Sequence, residues 1–428
     1  MTVNEEIDLL IDNIGKLLTM AGGDGPRAGE RMKKVGIVTG AAVAVRDGKI
    51  VSCGNAEEVK KRIRDCSVCE LIDADGRLVT PGFIDPHTHS VFAGRREGEF
   101  EQKVGGMSYQ KIAEAGGGIL ATVRQVRAST VDDLVRVSLP RLDVLLAHGT
   151  TTAEVKSGYG LTTSDELKML EAIRILDELH PIELIPTFLG AHEFPPEYRE
   201  RREEYVDLVI EEMLPAVTGA RLARFCDVFC EIGWFDVEHS RRILERAGEL
   251  GLELRLHADE FKPSGAAELA ARLRARSADH LVAVTEEGMR QMKSAGVIAT
   301  LLPGTVFFLD LPVRPPATRM KELGLPIALA TDFNPGSSMT QNMQLILSIA
   351  AIHLKLTPAE CFTASTINAA FSLGIADTVG SIEEGKQADL ILFDADDHRS
   401  ILYNFGINHT HTVVKGGRIV YESGNVVR

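Results

Sequence analysis

With 428 residues the chain is too long for one small core and suits a large domain joined to a smaller one. Its 44% hydrophobic and 25% charged residues are ordinary for a soluble globular protein. A net charge of −14 argues against general affinity for nucleic acid or anionic lipid, and the lack of any apolar run of about 18 residues argues against a membrane span. Residues 1–20 carry acidic side chains and no signal-peptide pattern, so a cytoplasmic protein is expected.

The first patterned stretch, residues 42–51, reads as two strands around an Asp47-Gly48 turn. Cys66-Ser67-Val68-Cys69 follows. No second pair stands at zinc-finger spacing and the six cysteines form no disulfide framework, so these read as two ordinary thiols. An apolar strand then runs from Arg77 through Ile84 and ends in Asp85-Pro86-His87-Thr88-His89. Gly116-Gly117-Gly118 lacks the Lys-Ser/Thr of a P-loop and reads as a mobile loop over a site. Seven more strands are predicted over 150–155, 182–189, 225–230, 252–257, 277–282, 297–302 and 327–332. Helical patterns separate them. The one over 164–179 opens on a Ser164 cap, and those over 237–250 and 285–295 stop at Gly251 and Gly296.

Eight strands alternating with helices predict an α/β fold, a (β/α)8 TIM barrel spanning residues 80–377. Residues 389–393 and 412–420 read as further strands. The two ends, 1–79 and 378–428, are therefore expected to meet in one small β-sandwich domain beside the barrel. A second His-x-His, His409-Thr410-His411, falls in this flank and reads as an ordinary strand there.

Barrel enzymes carry their reactive residues at the C-terminal ends of the strands, and polar residues collect there. The first strand gives His87 and His89, two residues apart and so on one side of a strand. The fifth gives His257 followed by Asp259 and Glu260, the sixth His280 and the eighth Asp332. His87, His89, His257 and Asp332 make a His3Asp metal shell with one place left for water. A metal ion makes hydroxide available near neutral pH, and a carboxylate or imidazole must move the proton. Asp332, His280 and Glu260, the last facing the substrate, are the candidates to divide that work.

These residues, together with Gly82-Phe83-Ile84-Asp85-Pro86-His87-Thr88-His89 and the tail Gly380-Ser381-Ile382-Glu383-Glu384-Gly385-Lys386-Gln387-Ala388-Asp389-Leu390, resemble the amidohydrolase superfamily. Within it the chain is similar to the imidazolonepropionase family. The resemblance runs in order through Val91-Phe92-Ala93-Gly94-Arg95-Arg96, Glu154-Val155-Lys156-Ser157-Gly158-Tyr159-Gly160-Leu161, Thr187-Phe188-Leu189-Gly190-Ala191-His192, His257-Ala258-Asp259-Glu260, Ser277-Ala278-Asp279-His280-Leu281 and Ala330-Thr331-Asp332-Phe333-Asn334-Pro335-Gly336-Ser337. It implies hydrolytic opening of 4-imidazolone-5-propanoate to N-formimidoyl-L-glutamate in histidine degradation. It implies one divalent or trivalent metal ion, Zn or Fe, held by His87, His89, His257 and Asp332. It further implies a small substrate carrying a carboxylate, held by Arg96, Tyr159, His192, Glu260, Asn334, Gly336 and Ser337, and a homodimer. The chemistry agrees, since a propionate needs a cation and Arg binds it bidentately.

Two places depart from the pattern. Glu193-Phe194-Pro195-Pro196 replaces a small apolar continuation after His192 and leaves the pocket's shape open. No Lys ends the fourth strand to bridge a second metal, although Glu231 lies near that end, so one metal is expected. A purine or pyrimidine deaminase shares the same His and Asp set, and a catalytically dead barrel used as a binding scaffold is a third reading. Arg96 and Tyr159 favour an acidic substrate over a neutral base. Retention of every ligand and of Glu260 argues against the dead barrel.

Overall fold

The apolar segments become a ring of parallel strands. In the computed structural model, which describes residues 6–63, 69–107, 111 and 116–427, these are β1 (Phe83–Thr88), β2 (Thr150–Lys156), β3 (Glu183–Ala191), β4 (Phe225–Cys230), β5 (Glu253–Ala258), β6 (Ser277–His280), β7 (Ile298–Leu301) and β8 (Ile327–Leu329). Each pairs in parallel with the next in sequence. Every residue of β1, β2, β4, β6, β7 and β8 is buried, as expected of parallel strands covered on both faces. The ring closes where β1 meets the chain just beyond β8. Thr88 bridges Phe333, His89 N donates to Phe333 O (2.9 Å) and Asp332 N donates to His87 O (3.1 Å). Beneath this seam the buried Asp85 carboxylate accepts from Thr331 N (3.0 Å) and Thr331 Oγ1 (2.5 Å).

The connecting helices follow their caps. Helix Val131–Ala147 opens on a Thr130–Asp133 capping box, Val237–Glu249 on Asp236 and Glu286–Ala295 on Thr285. Gly251 (φ 89°) and Gly296 (φ 78°) stop the last two in the left-handed region, as predicted. Helix Thr163–Leu179 is capped by Thr162 rather than Ser164. Thr162 is extended and its hydroxyl accepts from Asp165 N (3.1 Å), so Ser164 lies inside the first turn.

The expected first strand is in fact two. Leu78–Pro81 pairs with Leu390–Phe393, while β1 begins at Phe83. Gly82 makes the step between the sheets. A Cβ there would lie 2.2 Å from the Thr151 hydroxyl, so only glycine lets the chain pass β2 this closely.

The chain ends meet as expected. Leu9–Leu18, Ile37–Arg46, Lys49–Asn55, Glu70–Asp73 and Leu78–Pro81 join Leu390–Phe393, Thr410–Lys415, Arg418–Glu422 and Asn425–Val426 in one mixed sheet. Their hydrogen bonds form a single connected network. One face buries its own core, including Leu9, Ile11, Val43, Leu390 and Val414. Asp47 (φ 51°) and Gly48 (φ 73°) form the tight turn between the second and third of these strands. Of the second His-x-His, Thr410 and His411 lie in this sheet and His409 just precedes it, and His411 Nδ1 pairs with Thr412 Oγ1 (2.8 Å). Cys69 is disulfide-bonded, which corrects the expectation of a free thiol there, and Cys66 falls outside the described residues. Among the described residues no helix is long and apolar enough to cross a membrane.

Gly82→Ala is expected to destabilise the protein by about 1–3 kcal/mol through overpacking against Thr151. Urea unfolding measures this. Adding Thr151→Ala should recover part of the loss, and simple additivity of the two losses would refute the close approach.

Candidate active site

The barrel's C-terminal rim gathers the predicted ligands. His87 and His89 project from the end of β1, His257 from β5, His280 ends β6 and Asp332 follows β8. His280 (φ 73°) and Asp332 (φ 52°) both hold the left-handed backbone, a conformation costing a non-glycine residue about 1–3 kcal/mol. Ligand atoms of His87, His257 and His280 lie within 4.8 Å of one another, and so do those of His87, His89 and Asp332. His87 is the shared member. Its Nε2 is 3.5 Å from Asp332 Oδ1, and His89 Nε2 is 3.6 Å from the same oxygen. The expected His3Asp set thus spans both groups, with His280 drawn in beside it.

The protonation states suit a cation. Burial above all, with crowding by neighbouring imidazoles and the Lys156 ammonium adding to it, holds His87, His89 and His280 well below the ordinary imidazole range, so all three are neutral. His87 Nε2, His89 Nδ1 and His280 Nε2 are buried without a hydrogen-bond partner. Burial pushes the Asp332 carboxyl up to about 6, against a hydrogen bond from the Thr305 hydroxyl. A cation beside His87 and His280 meets their bare Nε2 atoms and offsets the cost of the buried Asp332 carboxylate. The donor set fits a divalent metal ion.

One cavity brings the remaining candidates together. Arg96, Tyr159, His192, Glu260, Asn334, Gly336 and Ser337 line it with His89, His257, His280 and Asp332. The Arg96 side chain is almost fully buried. Its Nε and one terminal nitrogen donate to Glu99 Oε2 (3.0 and 2.7 Å), and its other terminal nitrogen faces Gly336, where a Cβ would lie 2.4 Å away. His192 Nδ1 donates to Gly158 O (2.9 Å), and burial drives its pKa down to about 3, so its neutral Nε2 is an acceptor. Gly158 (φ 103°) is required here, because a Cβ would sit 2.9 Å from that Nδ1. Asn334 spends its side chain on the local turn. Its oxygen accepts from Gly336 N and Ser337 N (both 2.8 Å), and its nitrogen donates to Asp332 O (2.7 Å). Burial, then Asp332 and Glu231, raises the Glu260 carboxyl well above its usual range. Its nearest imidazole is His280, with Nδ1 3.6 Å away. Glu231 itself accepts from Ile232 N and Phe261 N (both 2.9 Å) and serves the backbone.

The amidohydrolase family model matches residues 118–421. The chain is 51% identical over 423 residues to the imidazolonepropionase of Symbiobacterium thermophilum, covering 99% of each. It is 46% identical over 420 residues to that of Geobacillus kaustophilus, covering 98% of this chain and 99% of the other. The chain belongs to the imidazolonepropionase family. That family lies among the amidohydrolases, so the protein is a hydrolase. A zinc-bound adenosine deaminase from Xanthomonas campestris superposes with a TM-score of 0.71 at 19% identity, covering 99% of this chain and 95% of the other. That likeness carries the fold alone.

Under the imidazolonepropionase-type rim lies a layer that sequence reasoning missed. Asp279 Oδ2 accepts from His87 Nδ1 (2.7 Å) and Asp227 from His257 Nδ1 (3.1 Å), which turns the Nε2 of each ring toward the cluster. Lys156 lies 2.7 Å from Glu154 and 2.8 Å from Asp227, and Arg255 lies 3.1 Å from Asp279. All five side chains are fully buried. Burial works to discharge Lys156, but Asp227 and Glu154 outweigh it and hold its pKa above the ordinary value. The signal available in the sequence was a charged residue inside an apolar strand, at Lys156 in β2, Asp227 in β4 and Arg255 in β5. Phe229, Trp234 and Phe261, which also line the cavity, carried no such mark.

Asp279→Asn is expected to weaken metal binding about 10–100-fold by releasing the His87 ring. Competition with a chelator measures it, with thermal unfolding run in parallel to separate loss of fold. Unchanged metal affinity in a folded variant would refute the role.

Proposed function

We propose that the protein hydrolyses 4-imidazolone-5-propanoate to N-formimidoyl-L-glutamate. The observation that carries this reading is one cavity lined by the Arg96 guanidinium, the buried Glu260 carboxyl and a cluster of His and Asp side chains, in a chain of the imidazolonepropionase family. His87, His89, His257 and Asp332 would hold one Zn or Fe ion. Such an ion would supply Lewis acidity and would lower the pKa of water toward neutral.

The chain's own groups do the rest. Arg96 binds the propionate through the nitrogen that faces Gly336, and Glu99 fixes its plane. Tyr159 and His192 meet the polar edge of the ring, and the turn Asn334, Gly336 and Ser337 shapes the carboxylate end. Oxygen from water adds to the ring carbonyl carbon, the ring C–N bond breaks and the leaving nitrogen takes a proton. Glu260 holds that proton beforehand, and Asp332 and His280 take up and pass on the one that water loses. The catalytic barrel begins at Phe83, the strands up to Pro81 and from Leu390 onward form its β partner, and the enzyme is a cytoplasmic homodimer.

Arg96→Ala should raise KM about 10–100-fold, the worth of a charge-assisted pair, while metal content stays the same. An assay of formimidoylglutamate formation beside metal analysis reads both, and an unchanged KM removes Arg96 from the carboxylate role. Glu260→Gln should retain metal yet lose about 10²–10⁴ in kcat. Near-normal turnover would sink its part in proton transfer.

A further inference from the structure

The departure after His192 has a structural partner. Glu193 Oε2 accepts a hydrogen bond from Trp234 Nε1 (2.9 Å), while Oε1 accepts from Phe194 N (2.9 Å). Phe194 stacks on Phe235 with centroids 4.2 Å apart and planes 22° apart, so two adjacent contacts fasten the loops after β3 and β4 together. Trp234 is half-buried and lines the cavity. Its ring lies 5.2 Å from Phe229 and 6.2 Å from Phe261, which line the same cavity. A tryptophan placed this way offers a flat apolar face while its N–H is satisfied elsewhere.

The strand order sets what this face opposes. Loops after β4 and β5 stand across the barrel mouth from those after β8 and β1. Arg96 and the Asn334–Ser337 turn therefore occupy one side, and the three aromatic rings the other. A molecule whose carboxylate sits at Arg96 directs its ring toward the aromatic side.

We infer that Trp234 is a specificity-determining residue, packing its indole against the planar ring of the substrate, and that Glu193 is the positioning residue that holds the indole in place. This rests on the proposed reading of the cavity as the imidazolone site. It assigns the Glu193 departure a purpose, which is selection of a flat ring over an open chain bearing the same carboxylate.

Trp234 is the chain's single tryptophan, so intrinsic fluorescence reports on this position alone. Metal-loaded wild-type protein is titrated with imidazole-4-propanoate, which has the ring and the carboxylate, and with glutarate, which has no ring. A saturable change in emission with the first and none with the second is expected. No change at concentrations of imidazole-4-propanoate that inhibit turnover would overturn the inference. In kinetics, Trp234→Ala should raise KM about 3- to 10-fold with a much smaller change in kcat, in line with one lost aromatic contact. Glu193→Ala should move KM the same way, and Glu193→Gln, which keeps an acceptor oxygen, should recover most of that loss. Equal KM in Trp234→Ala and wild type overturns the assignment. If wild-type protein fails to open the imidazolone yet imidazole-4-propanoate still changes the emission, the proposed reaction falls and the ring contact stands. If neither occurs, both fall.

Discussion

The hydrogen bonds from Asp332 N to His87 O (3.1 Å) and from His89 N to Phe333 O (2.9 Å) join the last barrel strand to the first. Each uses the backbone of a residue in or beside the proposed ligand set. The spacing of His87, His89 and Asp332 is therefore set by strand pairing and not by side-chain choice. Asp85 reinforces the seam by accepting two hydrogen bonds from Thr331, and burial pushes its carboxyl up to about 7. A loosened seam would separate proposed ligands contributed by opposite ends of the barrel sequence. The His89–Asp332 distance of 3.6 Å depends on this closure more than on any contact in the mouth itself.

The layer below solves a second problem. Several neutral imidazoles packed together do not choose their own tautomers, and a ring presenting N–H to the centre cannot bind a cation. Asp279 and Asp227 make that choice for His87 and His257. Two buried carboxylates are themselves costly, and Lys156 and Arg255 offset them at distances of 2.8 and 3.1 Å. Glu154 shares Lys156 and also accepts from Thr88 N (3.3 Å), which ties the ionic layer back to β1. Two cations against three carboxylates leave the layer negative, and Asp332 adds to that. A positive ion above it is the electrostatic complement.

Legibility from sequence followed the period of the signal. The strand and helix alternation was readable because it repeats, and the convergence of His87, His89, His257, His280 and Asp332 at one rim was readable because His at successive strand ends is a strong chemical mark. What failed was local or non-local in kind. The switch of sheets at Gly82 depends on Thr151, a residue on a different strand. The Thr162 cap was passed over because Ser164 looks like a cap equally well until backbone angles are known. Asp227 and Lys156 carry the same letters whether they steady a ligand or face solvent, and only closure of the barrel shows which. The proposed substrate residues were found through family resemblance, and the cavity that gathers them reflects loop positions that no single segment specifies.

The two sides of the mouth differ in how much they must change when a ligand arrives. Arg96 already has its Nε and one terminal nitrogen on Glu99, whose same oxygen accepts from Gly118 N at 3.2 Å. Its orientation is thus fixed in advance, and the ordering cost of a long side chain is met before binding. The nitrogen facing Gly336 can approach that backbone only because no Cβ intervenes. On the other side, Trp234 is held by Glu193, and burial raises the Glu193 carboxyl while the indole and Phe194 N–H bonds oppose that rise. Both walls are therefore oriented by a carboxylate that itself stays out of the chemistry. Such preorganisation favours ligands that match the existing spacing between cation and aromatic face, and it penalises those that would have to move either wall.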